Sequence, residues 1–157
     1  WAVGYAADLG SWEPSLPRDL ADVDVLALEF NHDVELQLAS GRARWLIHRV
    51  LGDFGHLSNV QGARLLEECA GHSTPGRLRH VIQLHLSRDC NRPALAVAAA
   101  RDVIDRRELG AALHTASQDL PGPTIALADG FPQIVRPASP DLGETARRDI
   151  LHERKRA

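Results

Sequence analysis

The stretch His80-Val81-Ile82-Gln83-Leu84-His85-Leu86-Ser87-Arg88-Asp89-Cys90-Asn91 decides the fold class. An apolar run of strand length ends at a histidine, a short polar turn follows, and Pro93 opens a helical pattern that runs to about Arg107. Strand, turn and helix in that order describe a sheet covered by helices. The order recurs upstream. Val3 to Ala7 reads as a short strand closed by Asp8-Leu9-Gly10, and Val23 to Phe30 as a buried strand that stops at Asn31-His32-Asp33. Helical patterns occupy Pro17 to Ala21, Val34 to Ala39 with Gly41 as a stop, and Trp45 to Leu51 with Gly52 as a stop. A longer one covers Val60 to Ala70, with Ser58 or Asn59 as N-cap and Gly71 as terminator. Its apolar face is Leu57, Ala63, Leu65, Leu66 and Ala70, while Leu95, Val97, Ala98, Val103 and Ile104 are available to pack from the helix after Pro93. Leu113 to Ala116 and Thr124 to Ala128 are short strands. The class is therefore α/β, strands alternating with helices, over residues 1–128. The segment 129–157, with Pro132, Pro137, Pro140 and an arginine-rich end, is expected to be a poorly ordered tail.

Bulk properties narrow the function classes. The chain has 157 residues, 44% of them apolar and 25% charged, which suits a soluble domain with one sizeable core. A formal charge of -3 gives no basic footprint of an autonomous nucleic-acid binder, although it leaves a nuclease open. Cys69 and Cys90 have neither CxxC spacing nor a disulfide framework, so a reducing, cytoplasmic compartment is the simpler reading. No run reaches the roughly 18 apolar residues of a membrane span. The chain holds no methionine and opens on Trp1, immediately before a strand-like run. It is expected to be a fragment whose front is missing.

The polar groups at strand ends carry the chemistry. Asp8 lies between a strand and a glycine, where a carboxylate can bridge two divalent ions or simply bond its own turn. His85 ends a buried strand, as a ligand for zinc, manganese or iron or as a satisfied core histidine, with Ser87 and Asn91 near enough to support it. His56 precedes a helix N-terminus, a place that suits an oxyanion and allows protonation of a leaving group; it is otherwise a surface-loop histidine. Asn31 and His32 follow the second strand and can line the same rim, while helix-capping by Asn31 or Asp33 is the plainer reading.

The ordered set Gly4-Tyr5-Ala6-Ala7-Asp8-Leu9-Gly10, Leu28-Glu29-Phe30-Asn31-His32-Asp33, Gly55-His56-Leu57-Ser58-Asn59 and His85-Leu86-Ser87-Arg88-Asp89-Cys90-Asn91 resembles the metallo-β-lactamase-fold hydrolases, in their WalJ/YycJ-like branch. Ala116-Ser117-Gln118-Asp119 fits the closing strand region of that group. The resemblance runs from about residue 1 to 128 and implies the C-terminal half of an αββα sandwich. It implies a site for two divalent metal ions, zinc or manganese or iron, with Asp8 as the bridging aspartate and His85 as the last histidine ligand. His56 falls beside the scissile phosphate, and Asn31, His32, Ser87 and Asn91 fall near the substrate pocket. No HxHxDH motif occurs in the 157 residues, so most family ligands are absent and this chain alone should turn over nothing.

The function expected is that of a metal-dependent phosphodiesterase or nuclease acting on DNA, completed by a missing N-terminal half. The alternative is a non-catalytic remnant or split subunit that binds a separate N-terminal half. A homodimer is compatible with either, and no membrane partner is expected. Metal identity and cleavage polarity are not legible.

Overall fold

A computed structural model describes residues 1–127 and the backbone of Gln133–Val135. The expected tail, 129–157, otherwise lies outside the described residues. The chain divides into two units, Trp1–Gly122 and Pro123–Ala157.

In the first unit the elements are β1 (Val3–Ala6), α1 (Leu16–Asp19), β2 (Val25–Glu29), α2 (Val34–Leu38), α3 (Arg44–Leu51), α4 (Asn59–His72), β3 (His80–Leu84), α5 (Pro93–Arg106) and β4 (Ala112–Thr115). The four strands form one parallel sheet in the order β1-β2-β3-β4. Because spatial and sequence order agree, right-handed crossovers lay every connecting helix on one face. The core agrees: Ala6, Leu26, Leu28 and Val81 from that face pack with Leu65, Leu66 and Cys69 of α4 and with Ala96, Ala100, Val103 and Ile104 of α5. The opposite face carries Val3 and Tyr5, which stay 63% and 69% exposed, beside Val25 and Ala27. The result is the expected α/β arrangement, one parallel β layer with its helical layer. In the second unit, β5 (Thr124–Ala126) pairs antiparallel with β6 (Gln133–Val135). Among the described residues no helix is long and apolar enough to cross a membrane.

Local chemistry explains most boundaries. Ser58 closes a capping box with Gln61 and starts α4. The Asp33 carboxylate accepts the Leu36 N–H and caps α2. Pro93 occupies the first turn of α5, where no N–H is missed. Gly71 does not stop α4, which continues to His72. Burial of Leu65, Leu66 and Cys69 anchors the helix, and a helical glycine costs only about 1 kcal/mol. The packing face of α5 also differs from expectation. Leu95 and Ala98 face solvent, while Ala96 and Ala100 are buried. Small residues bring the α5 backbone against the sheet, where the Gln83 side chain donates to the Ala96 carbonyl at 2.6 Å.

Candidate metal centre

In a parallel sheet all strands end at one edge, and a site there collects groups that are remote in sequence. Asp8 follows β1, Glu29 is the last residue of β2, and His85 directly follows β3. His56 arrives in the loop that precedes α4. One side-chain donor atom from each of these four residues lies within 4.8 Å of all the others.

Glu29 is the centre of the cluster. It is fully buried, and its Oε1 lies 2.8 Å from His85 Nδ1 and 2.9 Å from His56 Nδ1. Its other oxygen accepts the Leu9 N–H at 2.8 Å, which ties the β1 turn to the end of β2. Asp8 Oδ1 stands 3.6 Å from both histidine Nδ1 atoms. The two rings meet edge to face, with centroids 4.9 Å apart. A carboxylate that accepts an Nδ1–H fixes the imidazole tautomer and leaves Nε2 as the working nitrogen.

The backbone at the cluster is unusual. Asp8 and His85 both have φ of 59°, the left-handed region that non-glycine residues seldom enter. Asp22, ahead of β2, and Glu108, just past α5, share that conformation away from the cluster, so it is not peculiar to the site. Two glycines let chain segments close around it. A Cβ on Gly62 would sit 2.5 Å from the Glu29 carbonyl, so only glycine lets α4 seat against the end of β2. A Cβ on Gly55 would lie 2.2 Å from the Arg49 and Val50 carbonyls, beneath the loop that presents His56.

Asp8, His56 and His85 are thus brought together. Asn31 joins them, its Nδ2 donating to the His85 carbonyl at 2.8 Å. His32 does not line the rim as expected. It is fully buried, its backbone bridges to Ser58, and neither ring nitrogen has a hydrogen-bond partner among the described residues. Burial first, and then the neighbouring His56, hold its pKa down at about 4, so the ring is neutral. Asn91 also serves the scaffold. It exchanges amide hydrogen bonds with Asn59 at 2.9 Å and donates to the Phe30 and Asn31 carbonyls. The Ser87 hydroxyl accepts the Cys90 N–H. Ser87 and Asn91 border a groove of about 490 Å³ between the β3 and β4 ends.

The sequence pattern by itself assigns no role to Glu29. Its signal is nonetheless present: a carboxylate closing the apolar run Val25–Phe30 cannot stay buried without partners. Two imidazoles and two carboxylates are a donor set that suits zinc, manganese or iron.

No family model matches the chain. Two proteins of Streptococcus pneumoniae, from strains D39 and R6, each described as exodeoxyribonuclease WalJ, are 34% identical to it over 109 residues, covering 69% of this chain and 36% of theirs. A protein of Bacillus anthracis described as exodeoxyribonuclease YycJ is 30% identical over 109 residues, 69% of this chain and 39% of its own. The match thus spans well under half the length of these curated relatives.

Proposed function

We propose that this chain, a relative of the WalJ/YycJ exodeoxyribonucleases and so of the metallo-β-lactamase fold, carries part of the metal centre of a DNA phosphodiesterase. The observation that carries the reading is the Glu29 carboxylate held between His56 and His85. A buried charge shared by two imidazoles is costly to build and has a use where nitrogen lone pairs must be aimed.

Asp8 and His85 are the metal ligands in this reading, and the remaining ligands of a two-ion centre come from residues outside these 157. Divalent cations bound there supply Lewis-acid stabilisation of charge developing on a phosphodiester. Glu29 orients His85 through Nδ1, leaving Nε2 free to coordinate. It likewise orients His56 through Nδ1. As hydroxide adds to phosphorus and the P–O bond to the sugar breaks, His56 Nε2–H donates its proton to the departing deoxyribose oxygen, and the ring stays held through Nδ1 by Glu29. Asn31, on the His85 carbonyl, keeps the left-handed exit of β3 in place. Ser87 borders the groove through which substrate reaches this edge.

The test is metal content by plasma mass spectrometry, alongside hydrolysis of a DNA oligonucleotide, in the protein as its gene encodes it. Asp8→Ala and His85→Ala are expected to lose both, while His56→Ala keeps metal and loses hydrolysis. Unchanged metal content in the first two variants would refute the ligand assignment.

A further inference from the structure

We propose that α3 and the turn after it form a guide for a single nucleic-acid strand along the rim of the metal centre. The inference rests on the phosphodiesterase reading for its context and on separate residues for its support.

Residues 36–52 hold Arg42, Arg44, Arg49 and His48 and no carboxylate, in a chain whose formal charge is -3. Arg44, Trp45, His48 and Arg49 are all exposed on α3, whereas Val50 is buried. Trp45 is 69% exposed, and Phe54, at the turn beyond the helix, is 94% exposed. Among the described residues neither Arg44 nor Arg49 forms an ion pair.

Two interactions fix this helix to the site. At its C-terminal end the His56 N–H donates to the Val50 carbonyl at 3.0 Å. Just before its start, Arg42 pairs at 2.8 Å with Asp89, in the turn that follows His85. The helix therefore runs along the rim from the His85 turn to His56. Its eight residues make a rod of about 12 Å.

The occupant follows from the mixture of groups. Free guanidinium groups suit phosphates, and large exposed rings suit bases by stacking. A covering protein segment would have to bring its own carboxylates opposite Arg44 and Arg49 to offset their desolvation. Stacking on Trp45 and Phe54 needs bases already out of a duplex, so a single strand fits better than paired DNA. Asp53 is the only carboxylate between Glu35 and Glu67.

The test is fluorescence anisotropy with a labelled oligo-dT in the presence of EDTA, using the protein as its gene encodes it. Trp45→Ala and Phe54→Ala are each expected to weaken binding roughly 5- to 100-fold, and Trp45→Phe to restore most of it. Arg44→Ala with Arg49→Ala is expected to flatten the logarithmic salt dependence by about 0.7 for each phosphate no longer neutralised. In kinetics, kcat/KM for an oligonucleotide should fall relative to that for bis(p-nitrophenyl) phosphate. A wild-type protein that binds oligo-dT through these residues but hydrolyses neither substrate would refute the phosphodiesterase reading and uphold the guide. Unchanged oligo-dT affinity with a lowered thermal midpoint would mean that protein covers the patch, and would overturn the proposal. A constant ratio of the two kcat/KM values would overturn it equally.

Discussion

Two histidine pairs can be compared, and among the described residues only one of them shares a buried carboxylate. His56 and His85 meet at the carboxyl edge around the Glu29 carboxylate, with Asp8 beside them. His80 and His114, on adjacent strands in the body of the sheet, bond to each other directly, Nδ1 to Nε2 at 3.0 Å. Among the described residues no carboxylate orients that second pair. Burial pushes both pKa values down, and His80 Nε2 is buried without a partner among the described residues. A histidine pair inside a sheet settles as a neutral hydrogen bond. At the carboxyl edge a buried acid instead fixes one nitrogen of each ring and leaves the other free.

The largest contrast should come from removing ligands. If the proposed ligand assignment holds, His85→Ala or Asp8→Ala lowers DNA hydrolysis by at least about 100-fold. His114→Gln should leave the rate within about twofold. Steady-state assays on the purified variants decide this, and equal losses in both pairs would erase the distinction.

Next is the acid between the rings. Glu29→Gln keeps the shape and removes the charge, so metal affinity or activity is expected to drop roughly 10- to 100-fold while the fold persists. Isothermal titration with manganese and a circular dichroism spectrum separate the two effects. Full affinity in the variant would reduce Glu29 to a packing residue.

A smaller effect tests how the edge is assembled. Gly62→Ala places a methyl 2.5 Å from the Glu29 carbonyl and should cost about 1–3 kcal/mol by denaturant unfolding. A neutral result would mean that α4 can shift away from the end of β2 freely.

A last effect is confined to acid. His80, His114 and His32 all bind a proton less readily folded than unfolded, His32 with its pKa at about 4. The unfolded chain therefore takes up protons first as the pH falls below about 6.5, and the folded state loses stability from there down toward about 4. Above that window their stabilising effect is complete. His32→Phe should flatten this part of the stability–pH curve, measured by thermal melts across the range. An unchanged slope would show that these rings do not set the acid response.

Much of the fold is legible in the sequence because its punctuation is local. Pro93, Ser58 and Asp33 mark helix starts that local capping rules place. The convergence of Asp8, His56 and His85 is legible only through the resemblance, since no local rule brings together residues so far apart in sequence. Glu29 stays silent because an acid at the end of a buried strand means little until its partners are known. His32 is misplaced for the opposite reason. A bridge to Ser58 draws that segment inward, and such long-range pairing leaves no periodic signal. The packing face of α5 escapes because alanines give weak contrast between faces, and close approach to the sheet favours the smaller residues.

The most direct test of the central claim is anomalous diffraction from crystals of the protein, as its gene encodes it, grown with manganese. A peak about 2.0–2.2 Å from the Asp8 carboxylate and the His85 imidazole, with His56 uncoordinated and Glu29 still between the two rings, is the result this account predicts. A peak ligated by other residues, or none at this edge, would contradict it.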